Sequence, residues 1–168
     1  WVRTSSSNRQ HIMTKGDGDS PWESLAWQLV IIVTTGVVNF RASNNGSGTG
    51  AIDISSTTVV TDGAWHHVEA VRNGNRFDLY IDGTSEANQT SAITIKNSGH
   101  RPQLCSSAAG ANYFNGHLDE IIFSNVARHT ADFTPATALL DANIVTDITL
   151  ISESKTALTA TAGKTRKT

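Results

Sequence analysis

The stretch DGAWHHVEAVRNGNRFDLYIDGT, residues 62–84, is the feature that most constrains the fold of this chain. Within it, apolar and polar residues alternate in FDLYI (77–81), which is the period-two pattern of a strand with one buried face. Asn73-Gly74 precedes this segment and Asp82-Gly83 follows it. Such dipeptides favour tight hairpin turns, because both turn positions need a positive φ. The stretch therefore predicts an antiparallel β-hairpin that turns at Asn73-Gly74.

Strand and turn signals recur along the rest of the chain. AWQLVIIVTTG (26–36) and VVNFRAS (37–43) predict a second hairpin that turns around TTG, and AITI (92–95) and HLDEIIF (117–123) predict two further strands. No segment has the pattern of an amphipathic helix. Short strands separated by turns predict an all-β fold, namely an antiparallel jelly-roll sandwich.

Composition and charge exclude several classes of protein. The net charge is −2 and only 17% of the residues are charged, so the chain has no electrostatic attraction to nucleic acid or anionic membrane. The longest apolar run, LVIIV (29–33), is too short to cross a bilayer, so no membrane insertion is expected. Cys105 is the only cysteine, which excludes an intrachain disulfide.

The character of the chain changes near its C-terminus. We expect one domain over residues 1–140, followed by an extra strand and an extended arm or linker over residues 141–168. DITLISES (147–154) has the composition of a strand, whereas KTALTATAGKTRKT (155–168) is rich in Thr, Ala and Lys and has no acidic residue. The chain begins with Trp rather than Met, which favours a start inside a longer polypeptide.

Two segments carry a family resemblance. DGAWHHVEAVRNGNRFDLYIDGT resembles the signature hairpin of laminin-G-like domains of the concanavalin A-like lectin/glucanase type, in which W-H-H-V and L-Y-(I/V)-D-G strands recur. FNGHLDEIIFSNVARHTADFTP (114–135) resembles their closing G-x-(I/L)-D-E strand, and its end is similar to the version found in bacteriophage tail and other virion proteins. The resemblance covers residues 1–137 and implies a concanavalin A-like jelly roll. WVR (1–3) resembles the end of the family's first core strand, which implies that strands before Trp1 are missing and that an N-terminal segment or a neighbouring chain completes the sheet.

The histidine pair and the carboxylates argue against an enzyme. His66 and His67 are adjacent in a predicted strand, so they point to opposite faces and cannot chelate one ion together. We expect them to form hydrogen bonds with nearby backbone or side chains. Glucanases of this fold carry an E-x-D-x-x-E strand that places acid and nucleophile on one face, and no such string occurs here. We therefore predict no catalytic residues.

Calcium is the one cofactor that the resemblance suggests. Laminin-G-like domains often bind calcium at a rim through aspartate and backbone oxygens, which suit a hard cation. Asp17 and Asp19 in the KGDGDS loop, together with Asp82 and Asp119, are the candidate ligands. The alternative is that aspartates beside glycine accept hydrogen bonds from the local backbone of a turn.

Aromatic and polar residues in loops are the candidates for carbohydrate binding. The apolar face of a sugar stacks on an exposed ring, and its hydroxyls bond to arginine or amide side chains. Trp22, Arg41, Asn44 and Tyr113 are such candidates. Trp22 could equally contact a neighbouring subunit.

The sequence thus predicts a non-enzymatic phage virion protein, a component of a tail fibre, spike or capsid surface, whose lectin-like domain binds host-surface glycans. Its partners would be other virion subunits or copies of itself. The alternative is a secreted, calcium-dependent carbohydrate-binding module of a cellular protein, which would be extracellular. A glycoside hydrolase is disfavoured by the missing carboxylate motif.

Overall fold

The computed structural model describes residues 1–16, 24–47, 51–107 and 110–136, and residues 1–135 form one compact unit. The described residues contain ten strands and no helix, hence none that could cross a membrane. The strands are β1 (Val2–Arg3), β2 (Gln10–Lys15), β3 (Trp27–Ile31), β4 (Val37–Ala42), β5 (Ile52–Val59), β6 (Val68–Asn73), β7 (Arg76–Ile81), β8 (Thr84–Thr90), β9 (Pro102–Leu104) and β10 (His117–Leu118). Every pairing is antiparallel, so the all-β prediction is confirmed.

One layer is a five-stranded sheet with the order β5-β4-β3-β2-β9. Its apolar face follows from the alternation of the strands. Leu29 lies opposite Phe40 and Ile31 lies opposite Val38 across the β3–β4 pair, and all four belong to the hydrophobic core or pack against it. The predicted hairpin over 26–43 is therefore confirmed.

The second layer joins two smaller sheets, β6-β7-β8 and β1-β10. Val2 and His66 exchange two backbone hydrogen bonds of 2.9 Å, so β1 lies beside the residues that enter β6. The layer thus runs β10-β1-β6-β7-β8. Phe40 stacks on Phe77 at 6.4 Å between ring centroids, which shows that the apolar faces of the two layers meet.

The two turns of the 62–84 stretch differ in one detail from the prediction. Asn73 pairs with Arg76, so the turn residues are Gly74 and Asn75 rather than Asn73-Gly74. Of these two, only Gly74 has a positive φ, of 62°, which is the pattern of a type II′ turn. The second turn is Asp82-Gly83 as predicted, with both φ values positive.

Two predicted strands are wrong in whole or in part. Residues 92–95 form no strand, although Ile93 and Ile95 pack against the core. Of residues 117–123, only His117–Leu118 form a strand. The ladder with β1 stops where Glu120 adopts a left-handed φ of 48°, a conformation that no regular strand contains. The predicted strand over 147–154 and the arm over 155–168 lie outside the described residues.

A β-bulge closes the sandwich between β8 and β5. Leu79 pairs with Ala87 and Tyr80 with Ser85, so Glu86 has no opposite residue and its side chain is re-aimed. Its carboxylate accepts hydrogen bonds from the N–H groups of Thr57 and Thr58 in β5, at 2.7 and 2.9 Å, and from both threonine hydroxyls. Side-chain acceptors thereby satisfy β5, which has no backbone partner on that side among the residues that the structure describes.

Candidate functional site

The face of the five-stranded sheet that is turned away from the hydrophobic core is lined almost entirely by polar side chains. The strand register places them in two cross-strand rows, which together we term the polar face. One row is Gln103, Thr14, Gln28, Arg41 and Asp53, and the other is His11, Val30, Asn39 and Ser55.

The alternation of polar and apolar side chains along each strand produces this face. In β3, Gln28 lies between Trp27 and Leu29, both of which pack against the hydrophobic core. In β4, Asn39 and Arg41 flank Phe40, which also packs there. Because successive side chains point to opposite sides of a strand, the polar residues project away from the core.

The inner part of the polar face is buried and not fully hydrogen-bonded. Gln28 is 0% exposed, and within the described part of the chain neither Nε2 nor Oε1 of its side chain has a hydrogen-bond partner. Asn39 is 1% exposed and its Oδ1 also has none, although its Nδ2 donates to Asp53, Ser55 and the carbonyl of Ile54. A buried polar group without a partner costs about 1–3 kcal/mol. These atoms therefore lower the stability of the free protein and mark this face as one that is not optimised for stability alone.

The outer part of the polar face carries a paired charge. Nε of Arg41 lies 3.2 Å from Oδ2 of Asp53, and the two side chains are 24% and 46% exposed. Nδ2 of Asn39 donates to Oδ1 of the same aspartate at 2.7 Å. A guanidinium, a carboxylate and two amides thus lie side by side, which supplies the donors and acceptors that bind sugar hydroxyls.

The predicted carbohydrate residues are not all on this face. Arg41 belongs to it. Asn44 lies in an exposed turn after β4, and Tyr113 is 66% exposed, next to Asn112, whose carbonyl accepts from the N–H of His11. Trp22 lies outside the described residues.

The histidine pair forms contacts within the fold: His66 forms the predicted side-chain hydrogen bonds, whereas His67 makes ring contacts instead. His66 bridges two carboxylates, with Nδ1 at 2.8 Å from Asp82 and Nε2 at 3.1 Å from Asp62. His67 packs edge-on against the rings of Trp1 and Phe133, each at 5.4 Å. The two imidazoles therefore serve separate contacts.

Their pKa values shift in opposite directions. Burial lowers the pKa of His66, but its hydrogen bonds to Asp82 and Asp62 outweigh burial, so the net shift is upward. Burial lowers the pKa of His67, and the charged N-terminus lowers it further. Of the two histidines, His66 is thus the one whose protonation stabilises the folded protein.

The calcium prediction stays a prediction. Oδ1 of Asp82 accepts from the N–H of His67 at 2.8 Å, and Oδ1 of Asp119 accepts from the N–H of Glu120 at 2.9 Å. Across the described ranges, no three His, Cys, Asp or Glu side chains are grouped so that they could hold a metal ion. Asp17 and Asp19 lie outside those ranges.

The VARHTADFTP segment clamps the second layer. Phe133 stacks on His129 at 3.5 Å and contacts Tyr80 at 5.6 Å, and its N–H donates to the carbonyl of Gly83. A Cβ added at Gly83 would lie 1.9 Å from the carbonyl oxygen of Phe133, so only glycine fits there. Within this structure the segment is a packing element.

The family model of the concanavalin A-like lectin/glucanases superfamily, Laminin_G_3, matches residues 1–132. The chain belongs to this superfamily. Two solved structures of the Ruminococcus gnavus IT-sialidase CBM40, bound to alpha2,6 and alpha2,3 sialyllactose, are similar to this laminin-G-like chain, with TM-scores of 0.52 and 0.51 and 18% and 19% identity. The alignments cover 68% of this chain and 68% and 67% of the other chains. They support the predicted concanavalin A-like sandwich. None of the curated proteins matches the chain.

Sequence reasoning missed most of the polar face. Its members Thr14, Gln28, Asn39, Asp53 and Ser55 occupy polar positions within otherwise apolar or alternating strands. That alternation was visible in the sequence. The register that aligns Gln28 with Arg41 and Thr14 was not, because it depends on how separate strands pair.

Proposed function

We propose that this laminin-G-like chain is a non-enzymatic glycan-binding domain whose ligand contacts the polar face. The observation that carries the proposal is the partly exposed Arg41–Asp53 pair, beside which Gln28 is buried with no hydrogen-bond partner for either polar atom among the described residues. Natural folds retain such a group where binding requires it, because it lowers the stability of the free protein.

Two further observations support glycan as the ligand class. The superfamily to which the chain belongs includes lectins, and the two similar CBM40 structures contain sialyllactose. The partly exposed Arg41 guanidinium can contact a sugar hydroxyl or carboxylate. The absence of an E-x-D-x-x-E strand from the sequence favours binding without hydrolysis.

We further propose that the domain is displayed on the surface of a phage virion and contacts host-surface glycans. The similarity of VARHTADFTP to virion proteins supports this location. Several copies on one particle would convert weak single-site affinity into avidity. Detection of the chain in purified particles by mass spectrometry and surface immunolabelling tests the location, and its absence from particles would remove this part alone.

A glycan array tests the binding proposal. The array carries sialylated and neutral oligosaccharides together with bacterial surface polysaccharides, and we expect binding to at least one class. Arg41→Ala should weaken that binding at least tenfold by calorimetry, whereas Arg128→Ala, at an exposed arginine outside the polar face, should leave it unchanged. An array without any signal, or equal binding by both variants, would refute the assignment.

Two assays separate the remaining alternatives. Release of reducing sugar from any bound polysaccharide would overturn the non-enzymatic proposal. A rise in melting temperature with millimolar calcium would favour the calcium-dependent module instead, because a ligand of the native state stabilises it.

A further inference from the structure

Asp53 is the more exposed partner of the ion pair in the polar face, and its neighbours hold it in place. Nδ2 of Asn39 donates to its Oδ1 at 2.7 Å, and Nε of Arg41 lies 3.2 Å from its Oδ2. The backbone is fixed as well, because the N–H of Asp53 donates to Oε1 of Gln89 at 3.1 Å. Nε2 of Gln89 in turn donates to the carbonyl of Ala51 at 2.9 Å. The carboxylate is therefore held in one position before any ligand binds.

The Asp53 carboxylate keeps acceptor capacity for a ligand. An ionised carboxylate only accepts hydrogen bonds, and it has about four lone-pair sites. Among the described residues, Asn39 supplies its side-chain hydrogen bond and Arg41 its ion pair. Because the Asp53 side chain is 46% exposed, the remaining sites are within reach of a ligand. A sugar hydroxyl can donate to them, whereas a ligand carboxylate at neutral pH cannot.

The charges of the polar face balance each other. Apart from His11, which is 0% exposed, Arg41 and Asp53 are the members of the two rows with an ionisable side chain. The positive charge of Arg41 is thus already compensated by the adjacent carboxylate. An acidic group placed against Arg41 would lie beside Asp53, well within the screening length of about 10 Å at about 0.1 M salt. Like charges at such a distance repel, so the face disfavours an acidic ligand.

We propose, building on the proposed glycan-binding function, that the polar face selects neutral sugars and recognises two neighbouring hydroxyls between Asp53 and Arg41. One hydroxyl donates to the Asp53 carboxylate, and the other accepts from the guanidinium of Arg41, which is 24% exposed. Each hydroxyl is both donor and acceptor, so a pair of hydroxyls matches an acceptor that lies beside a donor. Both bonds involve an ionised protein group, which makes them stronger than bonds between neutral groups. A sugar carboxylate at the same place would supply acceptors alone.

The residues around the ion pair favour the same ligand class. Ser55 is exposed on the same edge strand, and its Oγ accepts from Nδ2 of Asn39 at 2.9 Å. Gln28 lies opposite Arg41 across the β3–β4 pair. Hydroxyl and amide groups bond to sugar hydroxyls without adding charge. None of these three neighbours supplies a positive charge that would attract an acid.

Matched pairs of glycans test the proposal. Each oligosaccharide that ends in a uronic or sialic acid is printed on the array beside its carboxyl-reduced form, in which a primary alcohol replaces the carboxylate and the rest of the sugar is unchanged. We expect the full chain to bind the reduced member of a pair at least tenfold more tightly, as measured by calorimetry. Because the discrimination is electrostatic, this ratio should fall as the salt concentration rises from about 0.1 M to about 1 M, which shortens the screening length to about 3 Å.

Asp53→Asn removes the charge and leaves an amide oxygen that can still accept from Asn39. It should weaken binding of the reduced member at least tenfold and strengthen binding of the acidic member, so the preference for neutral sugars should disappear. Asp132→Asn is the matched control, because Asp132 is exposed and accepts from the N–H of Ser85 in the second layer, away from the polar face. The control should keep the wild-type preference. The salt titration needs no variant, so it tests the charge effect even if Asp53→Asn folds poorly.

Equal or tighter binding of the acidic members by the wild type would overturn the selectivity for neutral sugars. So would a preference that neither salt nor Asp53→Asn changes. In both cases the glycan-binding function would still stand, provided that Arg41→Ala weakens binding. An array without any signal would instead remove the proposed function and the selectivity together.

Discussion

Gln28 offers a direct test of whether the polar face is built for a ligand. Replacement of Gln28 by methionine removes both unpaired polar atoms and keeps an unbranched side chain of similar length. If neither atom has a partner in the native state, the free protein should become more stable, because the glutamine is fully hydrated only when the chain unfolds.

The expected magnitude follows from the burial of this one group. A buried, unsatisfied polar group costs about 1–3 kcal/mol, so Gln28→Met should stabilise the free protein by about 2 kcal/mol. For a folded unit of this size that corresponds to a rise in melting temperature of about 6 °C. Binding of the glycan found on the array should be lost in the same variant.

Thermal and urea unfolding of the two proteins, followed by circular dichroism, measure the change. Gln103→Met is the matched control, because Gln103 lies in the same row on β9 but is partly exposed. Its effect should stay within about 0.5 kcal/mol. A melting temperature of Gln28→Met at or below that of the wild type would refute the reasoning, since it would mean that the amide is satisfied in the free protein.

Three further predictions address the closure of the sandwich, the histidine bridge and the clamp. Partial burial raises the pKa of Glu86, but hydrogen bonds from Thr58 and Thr57 outweigh it and lower the pKa. Glu86→Gln should therefore cost about 1 kcal/mol at pH 7 in urea unfolding. The difference from wild type should shrink as the pH falls from the unfolded-state pKa of about 4.3 through the lower pKa of the folded state, where the carboxylate takes up its proton. A difference that stays constant down to pH 2 would contradict this account of the bulge. The raised pKa of His66 means that its protonation stabilises the fold below about pH 6.5 and that this contribution is lost as the pH rises through the folded-state pKa. The wild type should therefore melt above His66→Gln by a larger margin at pH 5.5 than at pH 8.5. A larger margin at pH 8.5 would disprove the bridge. Phe133→Ala should destabilise the fold by about 3 kcal/mol through lost ring contacts. The control Val126→Ala, at an exposed valine, should change stability by less than about 0.5 kcal/mol. Similar losses of stability in both variants, measured by calorimetry, would argue against the clamp.

Local sequence signals were reliable where a few neighbouring residues decide the conformation. The alternation in 77–81 correctly predicted β7, and Asp82-Gly83 correctly predicted the turn that follows it. The strand depends on side-chain direction and the turn on allowed φ values, and both are set within a short stretch of sequence. The shift of the other turn to Gly74-Asn75 shows the limit of this approach. Two adjacent dipeptides, Asn73-Gly74 and Gly74-Asn75, both suit a tight turn, and the pairing of Asn73 with Arg76 selects one.

The sequence by itself determined that this chain folds into antiparallel strands with one apolar face, since the period of two and the turn residues are local properties. Only the tertiary structure decided that HLDEIIF pairs for just two residues and that Gln28 lies between Thr14 and Arg41. Strand pairing is a contact between segments distant in the chain, and a slip of one residue would send each of these side chains to the opposite face. The polar face is therefore a product of register, which no single strand encodes.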